Sequence, residues 1–265
     1  LGQLGSLTSV SGRPEISAGP AVLHDALQAA LRTEGLFLPA DPSSGALCLI
    51  GGNVATKASG PHELKHGSID QYLASLEIVL ADGTVVDTSR PESIPARLAS
   101  GLDRLVTRLN ASVPLTQRLQ ARRGRKIASG YNLFPLLGAE DPLACLCPLL
   151  AGSVGTLGIV TQARLRAEPR PADRVLLRVF FDSLEEAGTA VAGMRAAGAA
   201  AIEIVNERTV SLAARHRGEA LSPGGRCHLL LAEFVGPGAV DEATAAVAAL
   251  PKGPHPPALA TDPAE

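Results

Sequence analysis

The sequence holds 265 residues, 46% hydrophobic and 19% charged, with 24 basic against 26 acidic side chains. That balance excludes a disordered chain, and a net charge of -2 gives no electrostatic reason to expect a nucleic acid or an anionic membrane as partner. Four cysteines (Cys48, Cys145, Cys147, Cys227) without a C-x-x-C pair exclude a disulfide scaffold and the common zinc and iron–sulfur patterns. No apolar run approaches the ~20 residues needed to cross a bilayer.

The sequence opens on Leu1 and its single methionine is Met194, so it reads as part of a longer protein. Residues 1–20 lack the basic start and apolar core of a signal peptide. In chain order, Pro20 suits the first turn of a helix whose apolar face is Leu23, Leu27, Ala30 and Leu31, and Gly35 can end it. Leu76 to Leu80 reads as a strand, Asp82-Gly83 as a tight turn and Thr84 to Val86 as the returning strand. A second amphipathic helix is expected over Ala96 to Leu109. The stretch 118–126 then concentrates five positive charges: Arg118, Arg122, Arg123, Arg125 and Lys126. Such a run reads as a solvated helix end, or as a face for an anionic substrate or a redox partner.

Residues 158–167 look extended, and Glu168-Pro169-Arg170-Pro171 marks a domain boundary. Beyond it come a strand at 174–181, a helix opened by the capping box of Ser183 and Glu186 and ended by Gly198, and a strand at 201–205. A helix at 207–215, a strand at 228–235 and a helix at 240–250 complete a small α+β domain with helices covering a sheet. Residues 251–265 hold five prolines and no apolar periodicity, the composition of a disordered tail.

Three segments can carry chemistry. Asp41-Pro42-Ser43-Ser44, after Pro39-Ala40, is a turn whose free N–H groups and hydroxyls suit a ligand or an ordinary surface turn. Ile50 to Gly60 (IGGNVATKASG) is dominated by small residues; glycine lets a backbone approach a planar or phosphorylated ligand, and a packed loop is the alternative. Gly152 to Thr161 (GSVGTLGIVT) spaces three glycines three apart before a β-branched strand. It is neither G-x-G-x-x-G nor a Walker loop, which argues against a Rossmann site and a P-loop ATPase. His62 and His66 stand four apart, but Pro61 and Gly67 argue against a continuous helix and two ligands do not make a metal site. Cys145 and Cys147 sit in an apolar stretch and read as packing residues.

In order, Pro39 to Ser44, Gly51 to Thr56, Gly67, Leu76 to Gly83, Gly130-Tyr131-Asn132-Leu133 and Gly152 to Thr161 resemble the FAD-linked oxidases of the vanillyl-alcohol oxidase type. The resemblance is to the D-lactate, glycolate and D-2-hydroxyglutarate dehydrogenase branch, over residues 10–170 and, as the start of a substrate domain, 174–250. It implies an α+β architecture: a partial PCMH-type FAD-binding domain (1–170), the start of a substrate or cap domain (171–250) and a Pro-rich tail (251–265). It also implies non-covalent FAD. The contacts it implies are Asp41, Pro42, Ser43 and Ser44 beside the pyrophosphate and flavin ring, and Gly51, Gly52, Asn53, Thr56, Ala58, Ser59 and Gly60 in a second loop. Gly155, Thr156, Gly158, Ile159 and Val160 form a third.

The implied reaction passes a hydride from a 2-hydroxy acid to flavin N5 and leaves a 2-oxo acid, with an iron–sulfur domain or subunit as one class of electron acceptor. A cytoplasmic location, peripheral to the inner face of a membrane, accompanies it. Two features depart from the family pattern: Val154 stands where a glutamate is usual, and the upstream G-G-G-T-S phosphate loop and the downstream histidine-rich stretch are not in this sequence. No catalytic residue is therefore assigned. The alternatives are an inert part of the flavin-binding fold, and a reductase of the same fold acting on a nucleotide sugar.

Overall fold

The computed structural model describes residues 4–10, 13–125, 130–217, 227–250 and 256–261. The chain forms two compact units: Leu1–Gly60 with Ser68–Pro169, and Pro61–Gly67 with Arg170–Glu265. Among the described residues no helix is long and apolar enough to cross a membrane.

The first unit opens with two strands, β1 (Leu4–Val10) and β2 (Arg13–Ala18), paired antiparallel. Helix α1 (His24–Arg32) follows and buries His24, Leu27 and Leu31. Pro20 lies before this helix rather than in its first turn, because its carbonyl is engaged elsewhere, by the N–H of Gly51 at 2.9 Å. Gly35, at φ +68, closes the turn after the helix, and β3 (Leu36–Phe37) follows.

The small-residue run is a helix, α2 (Ile50–Thr56), not the loop its glycines imply. Two glycines weaken local helix propensity, but the termini are satisfied from outside. The N–H groups of Ile50 and Gly51 reach the carbonyls of Val22 and Pro20, each at 2.9 Å. The carbonyls of Val54 and Ala55 accept from the N–H groups of Gly152 and Val154, also at 2.9 Å. Helix α1 is capped in the same reciprocal way, with His24 and Asp25 N–H donating to the Cys48 and Gly45 carbonyls.

The chain then forms a single helical turn, α3 (Glu63–His66), within the second unit. Pro61 and Gly67 bracket it without preventing it, since His62 is its N-cap and Gly67, at φ +70, its C-cap. Strands β4 (Leu73–Val79) and β5 (Val85–Asp87) flank the Asp82-Gly83 turn, with Gly83 at φ +84. The Asp82 carboxylate accepts from the Thr84 N–H at 3.0 Å and pairs with Arg97.

Helix α4 (Ala96–Ala111) buries Leu102, Val106 and Leu109, and α5 (Val113–Gln120) leads into the basic run. Arg118, Arg122, Arg123 and Arg125 are exposed there, and Lys126 lies outside the described residues. A short helix, α6 (Leu146–Leu150), precedes β6 (Ile159–Arg166) and β7 (Glu168–Pro169). The main sheet has the order β1-β2-β6-β4-β5, and β3 pairs with β7. Leu76, Ile78, Ala163 and Leu165 face the aliphatic core on β4 and β6.

The second unit is a four-stranded antiparallel sheet built on β8 (Arg174–Phe181), β9 (Ala201–Val205) and β10 (His228–Val235), with helices α7 (Leu184–Ala196), α8 (Glu207–Arg217) and α9 (Ala239–Ala248). Alternate residues Val175, Leu177 and Val179 pair across with Phe234, Ala232 and Leu230, so one face of the sheet is wholly apolar. Against it lie Ala187, Ala190 and Met194 of α7 and Ala239, Ala243 and Ala246 of α9; small side chains let the helices close on the sheet.

The proline-rich end is corrected by β11 (Ala258–Ala260), which pairs antiparallel with β8 and completes the order β11-β8-β10-β9. Pro256 and Pro257 precede the strand rather than interrupting it, and an open edge on β8 offers main-chain partners that local composition does not reveal. Residues 251–255 and 262–265 of the expected tail lie outside the described residues.

Candidate functional site

In the first unit the three chemistry-bearing segments meet around α2. Asp41 and Pro42 are half-buried, while Ser43 and Ser44 are exposed in a turn closed by Gly45 N–H to the Pro42 carbonyl at 3.0 Å. The Ser44 carbonyl accepts from Leu47 and Cys48 N–H at 2.8 and 2.9 Å. A Cβ on Gly60 would overlap the backbone of Asp41, which places the end of the second segment directly on the first. The hydrogen bonds from Gly152 and Val154 to the end of α2 seat the third segment on the second.

The glycines divide by what demands them. Gly51 has no room for a side chain because Pro20 lies against it, and Gly158 is close to Ile78 and the Val79 carbonyl. Gly52 is different. It is exposed, a Cβ there would meet nothing within 4 Å, and among the described residues its N–H has no protein acceptor. Helix packing therefore does not account for glycine at position 52. Thr56, one turn on, donates its hydroxyl to the Gly52 carbonyl at 2.8 Å. Ala58, Ser59 and Gly60 leave α2 half-buried, with Ala58 N–H on the Asn53 carbonyl at 2.8 Å.

Asn53 is buried, and its side-chain Nδ2 lies 3.3 Å from His24 Nδ1. Gln28 Nε2 lies 3.3 Å from His24 Nε2 while donating to the Leu38 carbonyl at 2.7 Å. A neutral imidazole accepts at one nitrogen only, so one of the two His24 contacts carries an amide-to-ring hydrogen bond. Burial lowers the His24 pKa below its usual value, against the raising fields of Asp25 and Asp41, which keeps the ring neutral.

In the third segment Gly155 (φ +74) and Thr156 are exposed, and Thr156 Oγ1 bonds the Ser153 carbonyl at 2.5 Å and the Tyr131 hydroxyl at 2.8 Å. Val154 holds φ +52, an uncommon conformation for a β-branched residue, with its side chain exposed. Ile159 is exposed and Val160 half-buried at the start of β6, paired with Val79 and Ile78.

Residues that the motif reading gave no role complete the site. Lys57, the C-cap of α2 at φ +54, forms an ion pair with Asp70 at 3.3 Å, and both side chains are largely buried. Ser68 Oγ donates to Asp70 Oδ1 at 2.6 Å and Asn132 Nδ2 to Asp70 Oδ2 at 3.2 Å. The available signal was a lone lysine within a run of small residues. Cys145 and Cys147 are not reactive candidates. Burial pushes the Cys147 thiol up to about 11, with the Asp70 charge adding to it against Thr88 and Arg166, and burial also raises Cys145. Among the described residues no group of His, Cys, Asp and Glu is placed to hold a metal ion.

Residues 3–89 match the family profile described as FAD binding domain, and residues 170–256 match that of the FAD linked oxidases, C-terminal domain. The chain is 32% identical over 174 residues to "Probable D-lactate dehydrogenase, mitochondrial" of Danio rerio, covering 65% of this chain and 26% of that protein. It is 28% identical over 212 residues to the D-2-hydroxyglutarate dehydrogenase of Escherichia coli (strain K12), covering 76% of this chain and 20% of the relative. The chain thus spans about a quarter of the length of the curated relatives it matches. A solved structure of alkyldihydroxyacetonephosphate synthase superposes with a TM-score of 0.58 at 18% identity, over 90% of this chain and 38% of that one, a likeness of fold alone. The two profiles fall on either side of the Pro169–Arg170 junction, so the chain matches the FAD-linked oxidases in both of its units, an FAD binding domain in the first and their C-terminal domain in the second.

Proposed function

We propose that this chain supplies FAD-contacting backbone and part of the substrate domain of an enzyme that oxidises a 2-hydroxy acid, of the D-lactate, glycolate or D-2-hydroxyglutarate type, to the 2-oxo acid. Residues 1–170 are the FAD-binding part and 171–250 the substrate part. A cytoplasmic setting, peripheral to the inner face of a membrane, goes with this reading.

The observation that carries the cofactor assignment is the bare backbone at Gly52, with an unmatched N–H and open space where a side chain would stand. The residues fit an elongated ligand with an anionic pyrophosphate. The Gly52 N–H and the exposed Ser43 and Ser44 hydroxyls lie among the small residues of the Asp41–Ser44 turn, of α2 through Gly60 and of Gly155–Val160, where little side-chain bulk opposes a ligand. In this reading Asp41, Pro42, Ser43 and Ser44, then Gly51, Gly52, Asn53, Thr56, Ala58, Ser59 and Gly60, then Gly155, Thr156, Gly158, Ile159 and Val160 hold the cofactor. Asn53 contributes through α2, since its own amide faces His24. Bound FAD supplies the hydride acceptor; the chain supplies position and the exclusion of water.

The test is FAD uptake by the purified chain, read as visible absorption after removal of free flavin. The expected result is a flavin spectrum bleached by a D-2-hydroxy acid in the complete enzyme. Gly52→Ala is expected to leave the melting temperature of the flavin-free chain unchanged or raised, since nothing opposes the methyl group, while weakening FAD about tenfold. A chain that gains no flavin signal would overturn the assignment and leave the inert-part alternative standing.

A further inference from the structure

The hydrogen bonds around Lys57 close a circuit within the first unit. Lys57 pairs with Asp70; Asp70 accepts from Asn132; Asn132 is joined through the chain to Tyr131. The Tyr131 hydroxyl meets Thr156 Oγ1, which bonds the Ser153 carbonyl, and Gly152, beside Ser153, donates to the Val54 carbonyl at the end of α2. The ring thus returns to Lys57, whose Cβ would lie 3.2 Å from a Cβ built on Gly152.

Lysine is a costly choice at this corner. Its φ of +54 is the left-handed conformation that glycine or asparagine adopts more cheaply, and its ammonium is taken out of water. Placed there, the charge is repaid by a single carboxylate whose two oxygens also collect Ser68 and Asn132. Three segments distant in sequence are thereby tied at one point: the exit of α2 toward Ala58–Gly60, the stretch at 130–132, and the glycine turn at 152–156.

The geometry points to Lys57 as a positioning residue: the Lys57–Asp70 pair is a clasp that sets the second and third cofactor segments in register before flavin arrives. This inference rests on the flavin assignment above. Preorganisation of this kind appears as affinity, because loops already ordered lose less freedom on binding. The clasp is needed for the register of the loops, and the aliphatic core beneath them carries the fold.

The experiment compares wild type, Lys57→Met, Asp70→Asn and the double variant K57M/D70N in the full chain. The single variants leave one charge buried alone and report stability; the double variant removes both charges and reports the clasp. In K57M/D70N without flavin, amide hydrogen exchange at Gly152, Val154 and Thr156 is expected to quicken about tenfold, while β4 and β6 keep wild-type protection. FAD affinity is expected to fall about tenfold in the double variant, and the resolved shoulders of the bound-flavin spectrum to blur, at a near wild-type melting temperature. Wild-type exchange at 152–156 in the double variant would overturn the clasp, as would unchanged FAD affinity. Absence of FAD uptake by the wild-type chain would instead overturn the flavin assignment on which it rests.

Discussion

His24 shows how a single buried side chain couples this fold to pH. Its ring is 2% exposed and desolvation lowers its pKa below 6.5, so the folded ring stays neutral where the unfolded one takes a proton. Above about pH 6.5 both states are neutral and the group contributes no pH dependence; below it the unfolded state binds the extra proton and stability falls. Wild type is therefore expected to lose urea resistance between pH 7.5 and 5.5. His24→Gln is expected to flatten that slope while costing about 1–3 kcal/mol at pH 7.5, since the amide that donates to the ring loses its buried acceptor. Equal slopes in the two proteins would refute the assignment. Gly60 is a second residue whose role is steric. A methyl group there must displace the Asp41 backbone, so Gly60→Ala is expected to lower the melting temperature measurably, the opposite of Gly52→Ala. The sequence reading grouped these two glycines together; only their neighbours separate them.

At the scale of elements, the outcome follows whether the signals are local. Helix α7 was legible because its start is written in adjacent residues: the Ser183 hydroxyl accepts from the Glu186 N–H at 3.1 Å. Ser183→Ala is expected to cost about 1 kcal/mol, read as a lower denaturation midpoint. Strands β8, β9 and β10 fall at the residues expected of them, since β-branched and aromatic runs bounded by turn residues carry their own assignment. Helix α2 and strand β11 were not legible. Each has unfavourable local composition, and each is completed by groups remote in sequence: Pro20, Val22, Gly152 and Val154 for α2, and β8 for β11. The Pro61–Gly67 turn is a third case. His62 Nε2 meets Glu233 Oε2 at 2.9 Å and Lys65 Nζ donates to the Val235 carbonyl at 2.9 Å, which fastens it to β10. Burial alone would raise the Glu233 pKa, but His62 and Arg174 outweigh it and hold the carboxylate below its usual range.

At the scale of the whole molecule, FAD uptake has a thermodynamic signature. A ligand that binds only the folded chain stabilises it by about 2.7 kcal/mol when present at a hundredfold excess over its Kd. FAD is accordingly expected to raise the melting temperature in a concentration-dependent way, measured by calorimetry, and K57M/D70N is expected to need about ten times more FAD for the same shift. A melting temperature indifferent to FAD would count against the site. The sequence by itself determined the family resemblance, the α+β class and which three segments are rich in small and polar residues, because periodicity, turn chemistry and glycine content are properties of neighbouring residues. Only the tertiary structure decided that IGGNVAT is a helix, that Pro61–Gly67 belongs with the second unit, that Asn53 turns inward to His24, and that Lys57 reaches Asp70. Those outcomes depend on hydrogen-bond partners and charges brought together across tens of residues, and such partners leave no periodic trace in the chain.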